Sequence, residues 1–367
     1  MLTGPQGDGV CIIGLGRFGR AFATLLDEEG HAVSAWDPSQ PLPLSVGLPS
    51  FERVADSRIV VLATPVEQVG AVARALRPLL TPEHIVIDVG SVKVSPSTAL
   101  AAELGDAVPW VATHPLFGPA SIARGDRLRA VVCPNPRHPA ATQTIRELFV
   151  SLGCSVLDLD AHEHDRRMAS THALGFFLAK GLLDAGATFE DPVTPPSSQG
   201  IARAIRSVRS DAGHLLVSLH RENPYAEAMR EKALESLGRL HEALSGIDHV
   251  THLPAASPVL ATDPAFLIPN LGNRSPELRE VRDLIDELDA DLVDLLARRA
   301  VLSRRAQRAK AQIGAGVRDL RREAELRSAR RGWARDAGLD PTRVDSVFSA
   351  VIGLSVALQE DPDDSSD

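Results

Sequence analysis

The sequence predicts an α/β domain with a parallel sheet, then an all-α region, then a C-terminal segment of three helices. Three patterns carry this. Strand and helix signals alternate over residues 1–159, the mark of strands joined by crossover helices. Residues 160–250 are mostly helical in pattern. Over residues 275–360 apolar residues recur at three-to-four spacing, beginning with one unusually long helix. Residues 251–274, rich in proline and small residues, read as a linker, and residues 361–367, DPDDSSD, as a disordered acidic tail.

Composition narrows the function. A length of 367 residues supports two or three domains, and the net charge of −9 comes without a basic stripe, so nucleic acid is not an expected partner. Cys11, Cys133 and Cys154 have no metal-ligand spacing and suit a reducing compartment, and no metal is expected. No apolar run reaches membrane-spanning length and the first residues lack a leader pattern, so a cytoplasmic location is expected.

The first strand is the apolar run Val10–Ile13, which enters Gly14-Leu15-Gly16-Arg17-Phe18-Gly19. A helix pattern follows through Ala21, Phe22, Leu25 and Leu26, then Gly30, a strand from His31 to Trp36, and Asp37 at its end. A glycine triplet alone says little. Between a strand and a helix, with an acid closing the next strand, it describes a Rossmann-type dinucleotide site. Gly14 makes the tight turn, Gly16 lets pyrophosphate approach the backbone, and Gly19 permits close packing. Leu15, Arg17 and Phe18 complete the loop, and the helix amino terminus faces the diphosphate. Asp37 accepts from the adenosine ribose and repels a 2′-phosphate, which favours NAD over NADP. Trp36 reads as a packing residue.

Further strands are expected from Arg58 to Ala63, ending at Thr64-Pro65 where the chain passes under the cofactor; from His84 to Val89, ending at Gly90-Ser91-Val92-Lys93; and from Trp110 to Thr113, ending at His114-Pro115. Ligands bind at the carboxyl ends of such strands, where Ser91 and His114 both fall.

The run Thr113-His114-Pro115-Leu116-Phe117-Gly118-Pro119 closely resembles the prephenate dehydrogenases, as do Asp88-Val89-Gly90-Ser91-Val92-Lys93 and Glu163-His164-Asp165 before a helix with His172. The resemblance runs from Val10 to about His172. It implies that His114 engages the hydroxyl on the ring carbon that loses hydride, that Ser91 orients His114, and that His172 is a pocket residue. His164-Asp165 reads as a hydrogen-bond motif at a helix start. The family carries an arginine, before an Asp-Pro turn, that grips the ring carboxylate. Counting back from Asn223-Pro224 puts Ser218 there, with Arg206, Arg209 and Arg221 nearby but out of register. A shifted arginine, a different substrate or a weak dehydrogenase are the three readings of that departure.

The third segment opens at Ser275-Pro276-Glu277, an N-cap, a first-turn proline and a first-turn acid. Its long helix carries Arg282, Arg299 and Lys310. At about 100° per residue Arg299 and Lys310 differ by about 20° and share a face, while Arg282 lies about 100° away and about 25 Å up the axis. Asp319, Arg322 and Glu323 follow at helical spacing on a second helix, and Ser355 and Gln359 form an i,i+4 pair on a third. Several guanidinium groups, a lysine and a glutamine suit a small dianion with an ether oxygen. Arg304, Arg305, Arg308, Arg327, Arg330 and Arg331 read as a solvated face.

From Leu278 to Gln359 this segment resembles the all-helical chorismate mutases. The resemblance implies that Arg299 and Arg322 bind the substrate carboxylates, with Arg282 supplied by a second subunit. Lys310 and Gln359 donate to the ether oxygen of the breaking bond, Asp319 and Glu323 hold the ring hydroxyl and the cation frame, and Ser355 lines the pocket.

The combined expectation is a bifunctional enzyme of tyrosine biosynthesis. It would rearrange chorismate to prephenate and then oxidise and decarboxylate prephenate with NAD, as a homodimer with shared mutase sites. The 4-amino analogues or arogenate are the alternative substrates. A mutase carrying a vestigial, regulatory first domain is the alternative of another class.

Overall fold

The computed structural model describes residues 7–38, 51–187, 194–195, 198–210, 214–245, 276–312 and 320–360. The chain divides into two compact units, residues 1–122 with 127–253 and residues 123–126 with 254–367.

The first unit is built on a seven-stranded sheet: β1 (Gly7–Ile13), β2 (Val33–Trp36), β3 (Ser57–Leu62), β4 (Ile85–Asp88), β5 (Trp110–Pro115), β6 (Leu128–Cys133) and β7 (Cys154–Asp158). The strand order is β2-β1-β3-β4-β5-β6-β7, parallel throughout except for β5 against β6. The inner strands are continuous apolar runs because helices cover both faces. Those helices are α1 (Arg17–Glu28), α2 (Val69–Leu76), α3 (Val94–Leu104), α4 (Pro119–Arg124) and α5 (Pro139–Ser151). One core, with Val10, Ile12, Phe22, Leu26, Ile87, Val111 and Phe149, lies on one face; the other holds Cys11, Ile13, Val60, Leu62, Leu76, Val86 and Leu100. Trp36 packs at the edge of the second core against Phe51, in accord with a packing role. All three cysteines are free and buried.

The sheet is longer than the five strands expected. β6 and β7 extend it beyond β5, and β6 does so by reversing direction. The chain leaves β1 toward β2 on one side and returns as β3 on the other. That reversal opens a crevice at the carboxyl ends of β1 and β3, where such sheets bind ligands.

The rest of the unit is helical: α6 (Ala161–Met168), a π-helical turn at Ala169–Ala173, α7 (Leu174–Asp184), α8 (Gln199–Ser210), α9 (His214–Arg221) and α10 (Ala226–Ser245). A small core of Val66, Val92, Ala173, Leu219 and Ala226 fixes the π turn and the meeting of α9 and α10 against the loops that follow β3 and β4. The helices therefore close over the carboxyl edge of the sheet.

The second unit contains α11 (Pro276–Gln312), α12 (Leu320–Asp336) and α13 (Pro341–Glu360), with α13 packed on both of the others. Arg327 and Arg331 reach Asp345 at 3.8 and 3.2 Å, and Arg330 lies over the Phe348 ring at 4.5 Å. These three arginines reach across to α13, while Arg327 and Arg331 remain solvent-exposed as expected. On α11, Ile285, Leu288, Leu292, Val293, Leu295 and Leu302 are exposed within the single chain. The N-cap position Ser275 and the tail lie outside the described residues. No described helix is long and apolar enough to cross a membrane.

Candidate active sites

Two separate sites emerge, one in each unit. In the first, the glycine turn is dictated by contact. Gly14 has φ +97°, and a Cβ there would stand 2.6 Å from the Ala63 carbonyl oxygen. A Cβ on Gly19 would stand 2.0 Å from the Gly14 carbonyl oxygen, so α1 can approach the turn only without a side chain. Nothing lies within 4 Å of a Cβ on Gly16, which leaves the exposed side of the loop open for a ligand backbone. The Leu15 amide donates to Asp37 Oδ2 at 2.7 Å, and Arg20 Nε donates to the Leu15 carbonyl at 2.8 Å. Asp37 thus buttresses the turn from the end of β2. Thr64 Oγ1, just past β3, is buried with no hydrogen-bond partner among the described residues, a polar atom left for a ligand at the crevice. Arg17 and Phe18 open α1 beside it, with Phe18 stacked on Phe22 at 5.5 Å. This set fits a dinucleotide.

Next to it lies a buried polar line. His114, in the last turn of β5, is 4% exposed; His164, Asp165, Lys93 and Asp88 are wholly buried. His114 Nδ1 stands 2.9 Å from His164 Nε2, and His164 Nδ1 stands 2.8 Å from Asp165 Oδ1. The Asp165 carboxylate accepts the Lys93 and Val94 amides, at 2.7 and 2.9 Å, so it also caps α3. Asn223 Nδ2 donates to the Asp165 carbonyl at 2.8 Å, tying the α9–α10 turn to the same residue. Lys93 Nζ bonds Asp88 Oδ2 and the Thr113 carbonyl, while Thr113 Oγ1 donates to the Asp88 carbonyl at 2.6 Å. These bonds fasten the ends of β4 and β5 together beneath His114. Burial raises the Asp88 carboxyl, and the Lys93 charge only partly offsets it.

Two expectations change here. Ser91 follows β4, but the partner of the His114 ring is His164, and no hydrogen bond joins Ser91 to His114 among the described residues. The buried imidazole from α6 occupies the Nδ1 side of the ring and leaves Nε2 for another partner. Asp165 does bond a helix start, but that of α3 and not of its own helix: Asp160 caps α6 by accepting the His162 and Glu163 amides, both at 3.0 Å. His162 pairs at the surface with the Tyr225 hydroxyl at 2.8 Å.

Burial, and then the neighbouring His164, Lys93 and His172, hold His114 well below the ordinary imidazole range. Burial also lowers His164, opposed by its bond to Asp165, and lowers His172 together with the His164 charge. Neutral imidazoles can accept a proton or hydrogen bond. His172 is presented by the π turn and meets Phe176 edge-on at 4.8 Å; such turns are frequent at functional sites. Ser218 lies on α9, half-buried. A candidate cation lies farther along: Arg230 on α10, half-buried, donates to His220 Nδ1 at 2.9 Å. Arg230 is one turn beyond Ala226, which packs on the π turn. Among the described residues no group of three or more His, Cys, Asp or Glu side chains is arranged to hold a metal.

In the second unit, Arg299 and Ser355 are brought together. Arg299 Nη1 bonds Ser355 Oγ and the Val351 carbonyl, the latter at 3.3 Å. Ser355 is buried, and burial followed by the Arg330 charge lowers the Arg299 guanidinium. Arg282 and Lys310 are half-buried on α11. Arg322 and Glu323 are exposed in the first turn of α12, with Arg322 3.7 Å from Glu325. Gln359 lies one turn beyond Ser355 on α13. Asp319 lies outside the described residues.

Fold and sites together define a nucleotide-binding α/β domain of the dehydrogenase kind, followed by a helical domain in which Arg299 meets Ser355. Comparison with known proteins makes this specific. The family described as "Prephenate dehydrogenase, nucleotide-binding domain" matches residues 45–150, and "Chorismate mutase type II" matches residues 281–360. An isochorismate pyruvate lyase of Pseudomonas aeruginosa is 34% identical over 22% of this chain and 80% of that protein. The chain therefore belongs to the chorismate mutase type II family at its carboxyl end, fused behind a prephenate-dehydrogenase-type domain. Arogenate dehydrogenase 1 of Arabidopsis thaliana is 25% identical over 65% of this chain and 41% of its own length, so the chain spans about four tenths of that relative. The fold matches a prephenate dehydrogenase of A. aeolicus in complex with hydroxyphenyl propionate and NAD+, with a TM-score of 0.53 and 20% identity over 65% of this chain and 91% of that one.

Proposed function

We propose that the chain is a bifunctional enzyme of tyrosine biosynthesis, rearranging chorismate to prephenate in the second unit and oxidatively decarboxylating prephenate in the first. The observation that carries the dehydrogenase is His114, neutral and buried at the carboxyl end of β5, on the same sheet edge as the glycine turn. Bound NAD+ supplies the hydride acceptor. Gly16 and the amino terminus of α1 receive its diphosphate, and Asp37 disfavours a 2′-phosphate. His114 Nε2 accepts the proton of the ring hydroxyl as the ring carbon is oxidised, and loss of carbon dioxide makes the ring aromatic. Arg230, with His172, holds the anionic end of the substrate in place of the arginine that Ser218 replaces. Ser91 lines the same edge.

In the second unit Arg299 and Arg322 clamp the two carboxylates, Lys310 and Gln359 donate to the ether oxygen, and Asp319, Glu323 and Ser355 complete the pocket. That rearrangement requires no proton transfer. Its rate comes from holding a reactive conformer and stabilising a polarised transition state. The exposed apolar residues of α11 support a homodimer in which the partner subunit's Arg282 completes each site.

A second reading takes arogenate or the 4-amino analogue as the dehydrogenase substrate, supported by Ser218 and by the similarity to an arogenate dehydrogenase. Prephenate, arogenate and 4-amino-4-deoxyprephenate, each offered with NAD+ and with NADP+, separate the two. The first reading expects the highest kcat/KM for prephenate with NAD+. Turnover of only an amino-bearing substrate establishes the second.

A further inference from the structure

His164 and Asp165 lie in the protein interior, and helix ends account for only part of their bonding: Asp160 caps α6, while the Asp165 carboxylate caps α3 and also meets His164 Nδ1. A histidine held between an aspartate and the proposed base calls for another explanation. We infer that Asp165 and His164 form a relay of positioning residues that fixes His114 in one tautomer and takes up the proton His114 receives. This rests on the reading of His114 given above.

Asp165 Oδ1 faces the Lys93 amide and His164 Nδ1, and Oδ2 faces the Val94 amide. Both amides can only donate, so the carboxylate is an acceptor on both oxygens. The proton between Asp165 and His164 therefore sits on His164 Nδ1. A neutral His164 then presents a bare Nε2, and the proton between the two rings sits on His114 Nδ1. His114 Nε2 is left as a lone pair, the form a proton acceptor requires. The opposite tautomer would set two N–H groups, or two lone pairs, against each other somewhere along this buried line.

The same line balances the proton. A substrate hydroxyl gives its proton to His114 Nε2. His114 Nδ1 passes its own to His164 Nε2, leaving an imidazolium on His164 beside the Asp165 carboxylate. His114 is then neutral, with its proton on Nε2. Burial and Lys93 oppose a charge on both rings, but Asp165 bonds His164 and favours its protonated form, so His164 suits the charge better than His114. Reversal of the two transfers, with release from Nε2 to solvent, resets the pair.

The first test is ¹⁵N imidazole spectroscopy on full-length histidine-labelled protein, with His114 assigned by comparison with His114→Asn. Protonated Nδ1 and bare Nε2 on both rings are expected, and a protonated Nε2 on His114 at neutral pH would overturn the relay. The second test compares His164→Gln, whose carbonyl can still accept from His114 Nδ1, with His164→Leu, which cannot. Leu is expected to lower dehydrogenase kcat by about 10²-fold, the lower end of the worth of an acid–base group. KM for the dinucleotide should stay near wild type, and Gln should recover part of the rate. Unchanged kcat in a folded His164→Leu refutes the relay while leaving His114 standing. Unchanged kcat in His114→Asn instead refutes the base itself. If neither His164 variant folds, the spectrum of the wild-type protein still decides the tautomer.

Discussion

Replacing Gly19 with alanine tests how the glycine turn works, because the structure sets the size of the insult. The new Cβ would stand 2.0 Å from the Gly14 carbonyl oxygen and 3.1 Å from its carbon. Carbon–oxygen contacts settle at about 3.3 Å or more, so something must move by about 1.3 Å. Gly14 is held in place, since its backbone sits at φ +97° and its amide donates to the Trp36 carbonyl at 2.9 Å. The amino terminus of α1 must therefore lift from the turn. Overpacking of this kind costs about 1–3 kcal/mol. That is about 2–12 °C in the melting point of a unit of this size. The displaced helix end should weaken NAD+ binding by about tenfold or more, about 1.4 kcal/mol. Gly16→Ala is the matched control. Its Cβ meets nothing within 4 Å, so the melting point should hold while NAD+ affinity falls. Scanning calorimetry and titration calorimetry read the two effects separately, and mutase activity serves as an internal standard. Wild-type melting and affinity in Gly19→Ala, or a lower melting point with intact affinity in Gly16→Ala, would refute this account of the turn.

Three further outcomes are expected. Arg282→Ala and Arg299→Ala, each inactive as a mutase alone, should regain up to half the normal activity per mixed dimer after subunit exchange; no recovery despite proven exchange contradicts shared sites. Arg230→Ala should raise the dehydrogenase KM by about 10- to 100-fold, the worth of about 1.5–3 kcal/mol in a charged hydrogen bond, with the mutase unaffected; an unchanged KM removes Arg230 from the pocket. Because His114, His164 and His172 are all depressed, the unfolded chain binds protons first as pH falls below about 6.5. The first unit should therefore keep its full stability above that pH and lose up to about 1.4 kcal/mol per pH unit per histidine below it, a slope that denaturant titrations between pH 7 and 5 will show or exclude.

What the sequence disclosed was local. The glycine turn, its flanking strand and helix, and Asp37 stand within one stretch of chain, so spacing alone assembled them. The amide bond from Leu15 to Asp37 adds that the acid braces the turn. His114 was legible from its neighbours in sequence. Its partner was not, because His164 lies 50 residues away and meets it only once α6 folds over the sheet edge. The same limit hid β6, whose six residues carry no sign that they would pair antiparallel with β5. On α12, periodicity could not show which exposed arginines also reach a neighbouring helix, because the partners Asp345 and Phe348 of Arg327, Arg330 and Arg331 stand on α13. In the second unit the Arg299–Ser355 pair joins positions singled out separately on two helices, 56 residues apart.

The central claim is that one chain makes a product in its second unit and consumes it in the first. Incubating the purified protein with chorismate, with and without NAD+, and identifying products by mass tests it most directly. Prephenate alone without the cofactor, and 4-hydroxyphenylpyruvate with carbon dioxide and NADH when it is present, is the predicted result. Chorismate left unchanged in both, or prephenate that accumulates untouched with NAD+, would contradict it.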